Sequence, residues 1–257
     1  MMITTLEKPL LIGLAALAFM PPAAADVSYD SSAAISYTVN SITNTNPNDA
    51  GDLSGLTITG AFQQLTDAND FYANTTGDGA YQANDPAIPS SPALNNAFAG
   101  TYAVSGDTAA YGTVSTLNTG QFSLDFTNSG VNTYTIDVTL NYTLNAVASG
   151  LFANSAIQLD YWDTGNNVNG QDSVTAGTYA GFTQDSETEP GSALLALTLA
   201  PGATDEFFAQ SAVQSYLDST AAAATPAPLP AAFWFFAAGL PGVRGLGKLK
   251  LRPAAVL

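Results

Sequence analysis

The chain has 257 residues with 21 acidic and five basic side chains, no histidine and no cysteine. All five bases lie near the ends (Lys8, Arg244, Lys248, Lys250 and Arg252), and of the acids only Glu7 lies outside residues 26–225. A body with acids and no base repels phosphate backbones, which excludes nucleic acid as a partner. It also lacks the groups for Ser-His-Asp or Cys-His catalysis, for ordinary zinc or copper sites, and for Schiff-base chemistry. Carboxylate, hydroxyl and phenol chemistry remains.

Residues 1–25 have the three parts of a secretory signal: Lys8, an apolar stretch over residues 10–20, then Ala23, Ala24 and Ala25. This pattern predicts a signal helix cut by signal peptidase between Ala25 and Asp26. The apolar stretch is too short for a membrane span, which takes about 20 residues.

The body reads as strands. Ile35, Tyr37 and Val39 alternate with polar residues, as do Leu56 and Ile58. Residues 44–52 read as a loop, residues 67–84 are ambiguous with room for a short helix, and residues 77–92 read as a loop. Phe122, Leu124 and Phe126 alternate next, and Asn128-Ser129-Gly130 predicts a hairpin into the following strand. Residues 133–148 carry the strongest pattern. Tyr134, Ile136, Val138, Leu140, Tyr142, Leu144, Ala146 and Ala148 share one face, with a bend or bulge expected near Asn141 or Asn145. Ile157, Leu159 and Tyr161 form another strand, residues 165–177 read as a loop, and Leu195, Leu197 and Leu199 precede a turn at Ala200-Pro201-Gly202. Residues 207–217 form a last strand. The predicted fold is all-β, an antiparallel β-sandwich of jelly-roll or immunoglobulin-like type. It forms one domain over residues 26–220, with two smaller sandwiches divided near Leu117 as the alternative.

Within the body, three Asn/Asp groups have the oxygen ligands that calcium takes, and a structural calcium ion is the only cofactor considered. They are Asn44, Asn46, Asn48, Asp49 and Asp52; Asp67, Asn69 and Asp70; and Asp163, Asn167, Asn169 and Asp172. None has EF-hand spacing, and surface turns use the same residues. Tyr161 shares the core phase, whereas Trp162 falls on the opposite face and is free to meet a sugar ring. A carboxylate pair could in principle hydrolyse a glycosidic bond. The acids fall in turns and on solvent faces, so no catalytic residue is assigned.

Residues 221–230 form a linker of alanine and proline, followed by an apolar stretch and basic residues over 231–257. Pro228, Leu229, Pro230, Ala231, Ala232, Trp234, Gly239 and Leu240, followed by Arg244, Lys248, Lys250 and Arg252, resemble the PEP-CTERM sorting signal in its VPLPA variant. Here Ala227 stands where that variant often has valine, and Pro241 interrupts the apolar stretch. The resemblance implies a Gram-negative substrate of an exosortase-like membrane protease. Such a protein passes through an inner-membrane intermediate, held by a short C-terminal helix, to the cell surface or the exopolysaccharide matrix. Apolar residues in the bilayer with basic residues on the cytoplasmic side fit that topology. The function expected is structural or interactive without catalysis. A glycan-binding module for exopolysaccharide is the alternative, and a glycosidase a more remote one.

Overall fold

The computed structural model describes residues 26–87, 97–109, 111–165, 168–179 and 184–220. These lie in one compact unit, Ala24–Ala222. The segments expected to be signal, sorting motif and membrane helix lie outside the described residues, except Asp26.

The chain is all-β. Its strands are β1 (Val27–Asn44), β2 (Leu56–Leu65), β3 (Phe71–Gly77), β4 (Ala80–Ala83), β5 (Ala97–Thr108), β6 (Gly112–Asn128), β7 (Tyr134–Ser149), β8 (Ala153–Asp163), β9 (Asn169–Gly177), β10 (Ser186–Leu199) and β11 (Thr204–Asp218). They form two antiparallel sheets around one core. The first has the order β10-β7-β1-β5-β4; the second has the order β2-β6-β11-β8-β9, with β3 also pairing β6. Leu117 lies inside β6, with strand on both sides of it.

The period-two segments bury the faces expected of them. In β7, Tyr134, Ile136, Val138, Leu140 and Leu144 are fully buried, and Tyr142 is 8% exposed. Phe122, Leu124 and Phe126 of β6 and Phe207, Ala209 and Val213 of β11 meet them from the other sheet. The irregularity expected in β7 falls in its partner instead: the β1–β7 register shifts between Val39 and Ser41 of β1. Asn40, the extra residue, donates its amide to Thr139 Oγ1 at 2.7 Å.

Other expectations need correction. β6 and β7 do not form a hairpin: they belong to opposite sheets, and the turn between them crosses the core. Alternation reveals which face of a strand is buried, not which strand pairs with it. The crossing is organised by Asn128, whose buried amide donates to the carbonyls of Asn132, Leu199 and Ala200. That single side chain ties together the β6–β7 and β10–β11 crossings. Residues 67–84 hold β3 and β4, not a helix, and β4 interrupts the loop read at 77–92. The loop read at 165–177 contains β9. Its inward positions begin with Gly170 and Asp172, which weakens the apolar period; only Val174 and Ala176 continue it.

Several strand glycines lie beneath aromatic rings. A Cβ on Gly106 would stand 2.5 Å from the Tyr29 ring, one on Gly191 2.2 Å from Tyr142, and one on Gly60 1.8 Å from Phe98. Tyr29 and Tyr142 are the direct cross-strand partners of their glycines, whereas Phe98 reaches Gly60 from the opposite sheet. Polar contacts also join the sheets inside the core: Ser31 to Ser155 at 2.6 Å and Tyr29 to Thr116 at 3.0 Å, with Ser155 bonded in turn to its neighbour Ser215 on the same sheet at 2.6 Å.

Two predictions follow from this packing. Gly60→Val should destabilise the body by about 1–3 kcal/mol or more through overpacking. Gly51→Ala, with open space around it, should be neutral in the same denaturant titration. Leu140→Asp should cost more than about 4 kcal/mol by burying an unpaired charge. Thr139→Asp, on the outward face of the same strand, should fold; equal loss in both variants would contradict the observed register.

Candidate functional site

The outer face of the second sheet gathers the larger outward side chains into cross-strand rows. Trp162 of β8 stands opposite Phe208 of β11, and their rings stack with centroids 5.2 Å apart and planes 23° apart. Ser123 of β6 and Asn169 of β9 flank this pair in the same row. The next row runs Gln63, Gln121, Gln210, Asp160 and Gln171 across β2, β6, β11, β8 and β9. Gln158 Nε2 donates to Asp160 Oδ2 at 2.8 Å, orienting that carboxylate.

Two open hollows lie on this face. One, of about 440 Å³, is lined by Asp160, Trp162, Asn169 and Gln171 among others. The other, of about 370 Å³, is lined by Ala156, Gln158, Ala212 and Gln214 among others. The small side chains of Ala156 and Ala212 make its depth. A third hollow, of about 380 Å³, on the outer face of the first sheet is lined by small outward residues such as Ala34, Ser36, Ala99 and Thr101. It offers no outward ring to stack on.

Beside the aromatic pair, Glu206 of β11 and Asp125 of β6 are direct cross-strand neighbours. Burial pushes the Glu206 carboxyl up to about 7, the hydrogen bond to Asp125 and its negative charge add to the rise, and a hydrogen bond from Ser123 opposes it. Thr164 N–H donates to the Glu206 carbonyl, and the Glu206 N–H donates to Asp205 Oδ1. Two carboxyls in contact, with no base to neutralise them, hold a proton near neutrality.

Trp162 thus faces outward, as its phase implies, but is half-buried by Phe208. Tyr161 lies on the other side, packed against the core and 6.1 Å from Tyr142. Sequence reasoning missed Phe208, Glu206 and the glutamine row. The phase of Phe208, opposite to that of buried Phe207, was a usable signal; the pairing of β11 with β8 and β6 was not visible.

The proposed calcium loops are organised by their own side chains. Asn44 donates its amide to the carbonyls of Asp49 and Asp52, both at 2.9 Å, so the loop's centre holds a donor where a cation needs oxygens. In the second group Asp67 O accepts from the N–H groups of Asp70 and Phe71. In the third, Asp163 Oδ1 accepts from Val168 N–H and Asp172 Oδ2 from the Tyr142 hydroxyl, while Asn167 lies outside the described residues. Among the described residues no group of three acidic side chains is placed to hold a metal.

Asp26 is exposed at the start of β1. Ala23, Ala25, Pro228, Leu229, Pro230, Ala231, Ala232, Trp234, Gly239, Leu240, Arg244, Lys248, Lys250 and Arg252 lie outside the described residues. No protein family, curated protein or solved structure matches the chain.

The proton held by Glu206 makes stability depend on pH. Its folded value lies above its ordinary one, so the contribution is complete below about 4.5 and is lost as pH rises through about 7. The melting temperature should fall between about pH 5 and 8, a window with no histidine to confuse it. Glu206→Gln should flatten the curve there; an unchanged slope would show that the pair does not share a proton.

Proposed function

We propose that the chain is an exported protein, sorted through its C-terminal segment to the cell surface or extracellular matrix, with a non-catalytic body that binds extended glycans. The stacked Trp162–Phe208 pair on the second sheet's outer face is the observation that carries the binding reading. Sugar rings have an apolar face that packs on aromatic surface, and a shallow, open hollow suits a polymer that enters and leaves along the sheet. The glutamine row supplies amide donors and acceptors in register with the strands, at a spacing hydroxyl groups can use. The dense acids favour a neutral or aminated polysaccharide over one bearing phosphate or carboxylate.

The hydrogen-bonded contact of Asp125 and Glu206 supports the non-catalytic reading. Glycosidases hold their two carboxyls about 5–9 Å apart, on either side of the scissile bond. As to architecture, most connections here pass from one sheet to the other. We read this as jelly-roll wrapping in preference to an immunoglobulin-like order.

The sorting reading rests on residues 226–252 and on the placement of β1. Signal peptidase cleavage before Asp26 leaves Val27, the first buried residue of β1, inside the mature chain. Signal peptidase, an exosortase-like protease and, transiently, the inner membrane are the implied partners.

Trp162→Ala should weaken binding to the host's soluble exopolysaccharide by tenfold or more, about 1.4 kcal/mol, in calorimetry. The outward Thr101→Ala on the other sheet should not. Equal affinity of Trp162→Ala and parent would remove the binding reading. Replacing Pro228 and Pro230 with alanine should accumulate an unprocessed inner-membrane form; normal maturation would remove the sorting reading and leave the other intact.

A further inference from the structure

We infer that the C-terminal half of β10, residues 193–199, is a self-association edge that pairs antiparallel with the same segment of a second copy. β10 is the terminal strand of the first sheet and pairs only with β7. Its two halves are built differently. The first half carries Glu187, Glu189 and Pro190, devices that discourage strand addition. It also faces the edge of the other sheet: Glu187 Oε2 accepts from the Thr175 N–H of β9, and Gln184 O accepts from Gly177 N–H.

The second half, Ala193-Leu194-Leu195-Ala196-Leu197-Thr198-Leu199, has no charge, proline or glycine. Leu195 and Leu199 are buried, whereas Leu194 is 67% exposed. Among the described residues, the backbone of residues 193–198 has no hydrogen-bond partner beyond β7. Its free edge therefore presents alternate N–H and C=O groups over about 24 Å, at about 3.4 Å per residue.

The lack of charge on this strip is what admits a second copy. Every ionisable side chain of the body that is charged at neutral pH is acidic, so two copies repel wherever charged surfaces meet. This strip is an exception. An antiparallel pairing centred on Ala196 sets Leu194 beside Thr198 of the other copy and Leu195 beside its Leu197. The small Ala196 pair sits on the two-fold axis. In that register Glu187 and Glu189 fall beyond the new ladder, so no like charges oppose each other. The five-stranded sheet continues into its copy, and the buried rows of Leu195 and Leu197 run on across the axis. The glycan face is on the other sheet, so this edge is independent of it.

The test is sedimentation equilibrium of residues 26–222, the compact unit that contains both sheets and the whole described core. Dimer should appear at about 0.1–1 mM, as expected of a small interface. It should strengthen as salt rises to about 0.5 M, where the screening length is roughly 4 Å. Leu194→Glu, at an exposed position, should remain monomeric with its melting temperature unchanged within about 2 °C. Thr127→Glu, which adds the same charge on the other sheet, should dimerise like the parent. Hydrogen exchange should show concentration-dependent protection confined to residues 193–199. A monomeric parent at high salt would overturn the inference, as would a Leu194→Glu variant that dimerises like the parent.

Discussion

Aromatic rings seated over strand glycines hold this body together, and most of its geometry depends on them. Tyr29 lies over Gly106, Tyr142 over Gly191 and Tyr161 over Gly170, each pair directly opposed across a ladder. Phe98 over Gly60 and Tyr102 over Gly120 do the same between the sheets. A glycine weakens an isolated strand because it has no side chain to pack and loses the most backbone freedom. A ring laid across it recovers the apolar contact and fixes the register, because a one-residue slip moves the ring onto a side chain that leaves it no room. The body has no disulfide and no base for an ion pair. Ring packing therefore supplies specificity that disulfide-linked domains draw from cross-links.

The polar contacts inside the core have a different task. The serine chain through Ser31, Ser155 and Ser215 and the Tyr29–Thr116 bond join opposite sheets, and the backbone carbonyls at both crossings converge on Asn128. Buried polar groups are costly unless paired, so these bonds favour the arrangement in which all of them form together. There are exceptions: among the described residues, the Asn118 side chain and the hydroxyls of Tyr37 and Tyr102 are buried with no hydrogen-bond partner. Such groups lower stability, and the surrounding apolar contacts must offset them.

How much of this could be read in the sequence depends on what a period records. The buried face of β7 was legible, since its inward positions are all apolar and its outward ones almost all polar. β9 was not, because Gly170 and Asp172 occupy inward positions there to accommodate Tyr161 and the Tyr142 hydroxyl. The β6–β7 turn had the composition of a hairpin, yet Asn128 spends its amide on carbonyls from two separate crossings. The bulge moved to Asn40 of the partner strand because period two constrains a ladder, not one chosen strand within it. At the site, the phase of Trp162 was readable. Its stacking on Phe208 and the Asp125–Glu206 contact depend on the order β6-β11-β8, which composition does not encode.

The acidic surface and the two sheets give a division of labour. Uniform negative charge on the body keeps copies apart at low ionic strength. The outer face of the second sheet combines an aromatic pair with amides, so the glycan binding proposed for it would not depend on charge and would survive screening. The edge of the first sheet gains strength as charge is screened. In the reading proposed above, joining two copies there would leave both outer faces open, and a second site on the same polymer would be met at a raised effective concentration. On that reading a weak face on each copy would hold a long polymer firmly without any tighter individual contact. At high ionic strength the same acidic surface that opposes association no longer does so.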